Sequence, residues 1–139
     1  RQVLSDYDIV IDATDQLENK FLINDVCVSA EKPFVHGGIT GFSGQVMTYV
    51  PEKGPCYRCI FGEVPEDNAP APIPVIGVTA GIIGTIQAAE AIRYLLGIPS
   101  LLTGKLLVLD GLRMQFRTVP FPHVSEHCPL HTRKGVTDL

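Results

Sequence analysis

Three features of this sequence predict an α/β fold with a mixed sheet, a long central helix and a zinc knuckle. A β-branched run, Tyr7-Asp8-Ile9-Val10-Ile11-Asp12, passes through an acidic turn into a helical pattern, the signature of a strand feeding a helix beside a parallel sheet. A nearly uncharged helical stretch runs from about Val78 to Leu96. Cys56-Tyr57-Arg58-Cys59 is matched, near the other end, by Cys128-Pro129-Leu130-His131. Residues 60–127 separate the half-sites, so a metal held between them would fasten a finished structure. One domain over residues 1–139 is expected.

The first strand, 7–12, reads as buried on both faces. Thr14 and Asp15 then supply N-cap chemistry, with Glu18 completing a possible capping box, and Leu17, Phe21, Leu22, Val26 and Ala30 form a helical face ending before Pro33. Phe34-Val35-His36 reads as a second strand closed by Gly37-Gly38. The alternation from Gln45 to Val50 reads as a third, half-buried one. Between Phe61 and Pro74, four prolines and several acidic residues exclude helix and central strand, which predicts a mobile surface loop. In the central helix Gly81 and Gly84 permit close packing, with Gly97 as the stop and Pro99 beyond. Lys105 to Asp110 and Leu112 to Val119 flank an Asp110-Gly111 hairpin turn, with Leu112, Met114 and Phe116 on one face.

Composition narrows the partners. A hydrophobic share of 45% is enough for a single core, and the net charge of −4 comes without a basic run, which argues against nucleic acid or an anionic membrane. Gln87, Glu90 and Arg93 interrupt the apolar helix, so a membrane span is not expected. The chain enters a strand pattern without a signal-peptide pattern, and cysteines in a reducing cytoplasm favour a metal over disulfides.

Two constellations carry chemistry. Asp12-Ala13-Thr14-Asp15 lies at the carboxyl end of a predicted parallel strand, where open α/β sheets bind ligands and paired carboxylates hold Mg²⁺. The alternative is structural, with Asp15 capping the helix and Asp12 taking a backbone hydrogen bond. Lys20 reads either as a phosphate contact or as a solvated lysine. The glycine series 38, 41, 44 and 77, 81, 84 match neither a dinucleotide fingerprint nor a Walker loop, leaving turn and packing roles. The two Cys-x-x-ligand pairs favour zinc over a redox pair or inert thiols, with His131 as fourth ligand and His123 and His127 as competitors. Cys27 reads as a small apolar helix residue.

Taken in order, Asp12-Ala-Thr-Asp15, the helix carrying Asn24, Gly44-Gln45 leading a strand, Cys56-Tyr-Arg-Cys59, the run from Gly84 to Ile92 and Asp110-Gly111 resemble the ThiF/MoeB/HesA group of E1-like, ubiquitin-activating-type enzymes. The resemblance covers nearly the whole chain and implies the C-terminal part of a Rossmann-like adenylation domain in a zinc-bearing homodimer. The implied reaction is ATP-dependent adenylation of the C-terminal glycine of a ubiquitin-like sulphur-carrier protein, for molybdopterin, thiamine or related sulphur transfer. Asp15 would then be the catalytic residue at the Mg²⁺·ATP site. Gln16 stands there where asparagine is usual and Lys20 where arginine is usual. Cys56, Cys59 and Cys128 match three zinc cysteines, with His131 in place of the fourth.

The departures define a second reading. The family's glycine-rich ATP loop has no counterpart from Arg1 onward, so this chain by itself is expected to be inactive. Many relatives carry a cysteine before the central helix, at a place falling near Pro70. None occurs between Cys59 and Cys128, which argues against a thioester or persulfide step on this chain. The competing class is a non-catalytic, zinc-stapled module that dimerises or docks a ubiquitin-like tail. A dinucleotide-dependent dehydrogenase lacks its G-x-G-x-x-G fingerprint here.

Overall fold

The computed structural model describes residues 3–64, 72 and 74–132. Five strands form one sheet in the order β1-β2-β3-β4-β5. β1 (Val10–Asp12) pairs parallel with β2 (Phe34–Thr40), and β3 (Ser43–Tyr49), β4 (Lys105–Asp110) and β5 (Gln115–Pro120) continue it antiparallel. The sheet is therefore mixed, as expected. β1 is shorter than its apolar run, because its pairing with β2 begins only at Val10, opposite Phe34. It is also not buried on both faces, since Ile11 remains 47% exposed on an edge strand of the described residues.

Alternation along the strands divides the core into two layers. Phe34, Met47, Tyr49 and Leu106 face α1 (Leu17–Ser29) and the knuckle helix α2 (Tyr57–Phe61). Val35, Val46 and Leu109 face α3 (Gly77–Leu95). Burying one such side chain contributes about 1.5–3 kcal/mol. The short α4 (Pro129–Thr132) packs against α1, bringing the end of the described chain back to the knuckle.

Several boundaries differ from the sequence pattern, each for a local reason. The α1 N-cap is Gln16, without a side-chain cap, rather than Thr14 or Asp15, because the Asp12 carboxylate draws the Thr14 N–H (3.0 Å) and hydroxyl (2.7 Å) into a turn ahead of the helix. Leu22, expected on the buried face, is 60% exposed, while Lys20 and Asn24 are inside. β2 runs through Gly37 and Gly38 to a turn at Gly41, whose φ is 53°. The β4–β5 connection is a four-residue loop, Gly111 to Met114, because Asp110 accepts from the Leu112 and Arg113 N–H groups. Leu112, Met114 and Phe116 lie on the solvent side of that hairpin.

The long helix and its stop follow expectation. Gly97 has φ 70°, and the Gly97 and Ile98 N–H groups donate to Tyr94 and Arg93 carbonyls, closing a Schellman motif. The packing glycines are elsewhere than expected. A Cβ on Gly81 or Gly84 would meet nothing, whereas one on Gly37 would lie 2.4 Å from the Gln87 side chain and one on Gly44 2.5 Å from Ile83. The close approach is thus made by bare sheet under bulky helix residues. Phe61, expected in the proline-rich loop, ends α2. Residues 65–71 and 73, including the Pro70 position, lie outside the described residues. No helix among the described residues is long and apolar enough to cross a membrane.

Candidate functional site

The knuckle is built by a tight turn into a short helix. Cys56 precedes α2 and Cys59 sits one turn on, so both thiols face one side. Cys128 and His131 repeat this spacing at α4, where the His131 N–H bonds the Cys128 carbonyl at 3.1 Å. The ligand atoms of Cys56, Cys59, Cys128 and His131 all lie within 4.8 Å of one another. Cys56 Sγ is 3.7 Å from both Cys59 Sγ and Cys128 Sγ. Thiolates at about 2.3 Å from a tetrahedral zinc would be roughly 3.8 Å apart, while a disulfide needs about 2 Å. His131 Nε2 is buried without a hydrogen-bond partner, the condition of a ligand atom awaiting its metal. The four residues can therefore hold a metal ion, and their donor set fits zinc. Cys59 is pulled well below the usual thiol range by the hydrogen bond from Cys56, which is itself pushed up by that bond and by burial. Cys27 is apart from the cluster, buried in the core with its thiol raised to about 11 by burial.

The knuckle is anchored on α1. Asn24, fully buried, accepts the Tyr57 N–H at 2.8 Å and so satisfies the first amide of α2. Arg58 grips Asp25 with two bonds of 2.6 and 2.8 Å and lies over the Phe21 ring. Phe21 meets Tyr57 edge-on at 5.0 Å.

The carboxylates of the Asp12–Asp15 turn are not brought to one point. Asp12 is 1% exposed and faces inward, while Asp15 and Gln16 are exposed at the start of α1. Asp12 Oδ2 accepts from Lys20 Nζ (3.3 Å) and His36 Nδ1 (2.9 Å), and its Oδ1 accepts both bonds from Thr14. A carboxylate with its four sites occupied has none to offer an external cation. Burial alone would raise this acid, but the His36 and Thr14 hydrogen bonds and the Lys20 charge together bring it to about 2.

Lys20 is not solvated. Its ammonium group bonds Asp12 and, at 2.7 Å, the Gly37 carbonyl. Burial lowers its affinity for the proton, while the charges of Asp12 and Asp15 oppose that shift. Gln87 extends the network, donating to the Asp12 carbonyl (2.7 Å) and the Val35 carbonyl (3.2 Å) across the gap left by Gly37. Spacing along the sequence gave no sign of His36, Tyr57 or Gln87 here. Asp12 and His36 meet because they are register partners whose side chains share a face, a pairing that spacing along either strand does not fix.

Comparison with known proteins identifies the family and the fold. The ThiF family model matches residues 1–130. The SAMP-activating enzyme E1 of Haloferax volcanii is 42% identical over 99% of this chain and 52% of its own length, so the chain spans about half of that relative. Adenylyltransferase and sulfurtransferase MOCS3 of Culex quinquefasciatus is 40% identical over 84% of this chain and 27% of its own length. Among solved structures, Escherichia coli MccB with ATP superposes with a TM-score of 0.74 at 19% identity, over 93% of this chain and 41% of that one. The family match covers most of the chain and the fold likeness agrees with it, and the chain belongs to the ThiF family.

Proposed function

We propose that this chain is the carrier-binding and zinc-bearing portion of an E1-like adenylyltransferase that activates the C-terminal glycine of a ubiquitin-like sulphur-carrier protein. The observation that carries the reading is the turn at the carboxyl end of β1, where a fully bonded Asp12 holds the chain so that Asp15 reaches solvent. Identity of 42% with a SAMP-activating enzyme and 40% with an adenylyltransferase supports the reaction class.

In this reaction a carboxylate oxygen of the carrier attacks the α-phosphorus of ATP. The bond from that phosphorus to the bridging oxygen breaks, pyrophosphate leaves, and an acyl-adenylate remains. Asp15, an exposed carboxylate at the turn, fits the one or two carboxylates by which a largely hydrated Mg²⁺ is commonly held. When bound, the cation supplies charge stabilisation of the phosphates. Gln16, the exposed N-cap residue next to it, is a candidate polar contact, and Lys20 contributes through Asp12. Cys56, Cys59, Cys128 and His131 would hold a structural zinc that closes the knuckle, leaving the chemistry to the turn.

Exchange of pyrophosphate into ATP by the full-length protein with its carrier tests the reading. Asp15→Ala is expected to abolish exchange, and unchanged exchange would remove Asp15 from the mechanism. The non-catalytic docking or dimerisation module is favoured by a different observation: Val78, Ile92, Leu95 and Leu96 leave an exposed apolar face along α3. Sedimentation of the full-length protein tests the expected homodimer, and nucleotide binding by that protein counts against the non-catalytic reading.

A further inference from the structure

We propose that His36 is a positioning residue for the nucleotide turn, acting on Asp15 through Asp12. The parallel pairing of β1 and β2 sets His36 opposite Asp12, both with side chains at most 1% exposed. His36 supplies one of the four hydrogen bonds on the Asp12 carboxylate, and the Thr14 bonds on the other oxygen shape the turn leading into Asp15. Without His36, a buried carboxylate keeps its charge and loses a donor.

The ring is held in one protonation state and one orientation. Gln45 Nε2 lies 3.3 Å from His36 Nε2, and an amide nitrogen only donates, so that ring nitrogen accepts and the proton resides on Nδ1, facing Asp12. Burial, which lowers the histidine's affinity for a second proton, agrees with this neutral form. The ring is then braced from the knuckle. Tyr57, between Cys56 and Cys59, packs 4.6 Å from it at 58°, and Phe61 follows at 6.1 Å. The knuckle thus buttresses a residue that orients the candidate nucleotide site.

This inference rests on the assignment of Asp15 to the Mg²⁺·ATP site, and its test separates the two. Pyrophosphate exchange by the full-length protein with its carrier, and Mg²⁺-dependent ATP binding by calorimetry without the carrier, are measured against Mg²⁺ and ATP concentration for His36→Leu, His36→Asn and Asp15→Ala. Partners behind a metal-binding group commonly change affinity or rate by roughly 10- to 100-fold. His36→Leu should lower the maximal exchange rate by that order and raise the Mg²⁺ concentration for half-maximal rate, leaving the carrier KM unchanged. His36→Asn, whose amide N–H replaces Nδ1–H, should recover most of the loss. An unchanged Mg²⁺ dependence in folded His36→Leu overturns the proposal, as does equal impairment of the Leu and Asn variants, which would mark a packing role only. Should His36→Leu fail to fold, Gln45→Met carries the test: released from the bond to Nε2, the ring should shift the Mg²⁺ dependence the same way, and no shift refutes the role. If Asp15→Ala leaves exchange intact, the underlying assignment falls. If Asp15→Ala abolishes exchange and His36→Leu changes nothing, only the positioning role falls.

Discussion

Glu90, in the middle of α3, accepts the hydroxyl of Thr48 on β3 at 2.6 Å across the sheet–helix interface. The same carboxylate takes the Leu102 N–H at 2.7 Å and the Arg93 guanidinium at 2.6 Å, with only 2% of its side chain exposed. A helix read from its apolar pattern is therefore fixed on the sheet by an acid. Glu90→Ala should destabilise the protein by about 3 kcal/mol, because a buried hydroxyl and an amide lose their acceptor together. Urea unfolding of Glu90→Ala, Thr48→Val and the double variant should give a non-additive cycle; additive losses would show that the two residues do not share the interaction.

Gly37 is expected to be nearly as intolerant as the core. An added Cβ would lie 2.4 Å from Gln87, whose amide is committed to the Asp12 and Val35 carbonyls. Gly37→Ala should lower stability by about 2–3 kcal/mol through overpacking and broken hydrogen bonds. Its thermal midpoint should fall clearly, whereas Gly84→Ala, with open space around the new methyl, should hold or raise it. Equal effects at the two positions would contradict the packing described.

Acid stability should depend on the Asp12 network in a defined window. The Asp12 carboxyl is held at about 2 in the fold against an ordinary value of 3.8. Its contribution, about 2 kcal/mol, is complete above pH 3.8 and disappears as the pH falls through about 2. His36, whose folded value is lowered by burial, contributes above its ordinary 6.5 and loses that contribution as the pH falls below it. Stability measured from pH 7 to 2 should therefore decline in two stages, and Asp12→Asn should remove the lower one. A variant curve parallel to the wild type below pH 4 would refute this.

Metal removal should open the knuckle. Stoichiometric zinc is expected in the purified protein, and chelation should lower the thermal midpoint, since the four candidate ligands come from two distant segments that one ion would close. Cys128→Ser should lose the metal, and His131→Ala should weaken its retention. Zinc kept at full affinity in His131→Ala would assign the fourth position to another group, and absence of zinc from the wild type would end the clamp reading.

Arg58→Ala should weaken the anchoring of the knuckle on α1 while leaving the Asn24–Tyr57 bond in place. Its two-bond pair with the partly exposed Asp25 and its place over Phe21 together merit about 1–2 kcal/mol. The loss should shrink at high salt only in its Asp25 part, so Asp25→Ala should be the more salt-sensitive variant. Identical salt dependence would assign the contact to packing.

What could be read along the chain was whatever depends on short spacing. Cys56 and Cys59, or Cys128 and His131, lie three residues apart, and a turn of that length presents both ligands to one side wherever it folds. The long helix ending at Gly97, the mixed sheet and the acidic turn were legible for the same reason, each resting on a local period or stop signal. The orientation of polar side chains was not. Lys20 reads as a surface lysine on its own helix, yet β2 brings the Gly37 carbonyl and β1 brings Asp12 to its ammonium group.

Strand register decided the rest. Asp12 meets His36 only because Val10 pairs with Phe34, and a shift of one residue would turn both side chains to opposite faces. The same assembly moved the demand for glycine from the helix to the sheet, placed Tyr57 against His36, and sent Asp15 to solvent while Asp12 turned inward. Spacing in the sequence names the groups able to carry chemistry, because ligand geometry is local. Which of them are spent on holding the fold, and which remain free for a substrate, follows from burial and pairing between segments far apart in the chain.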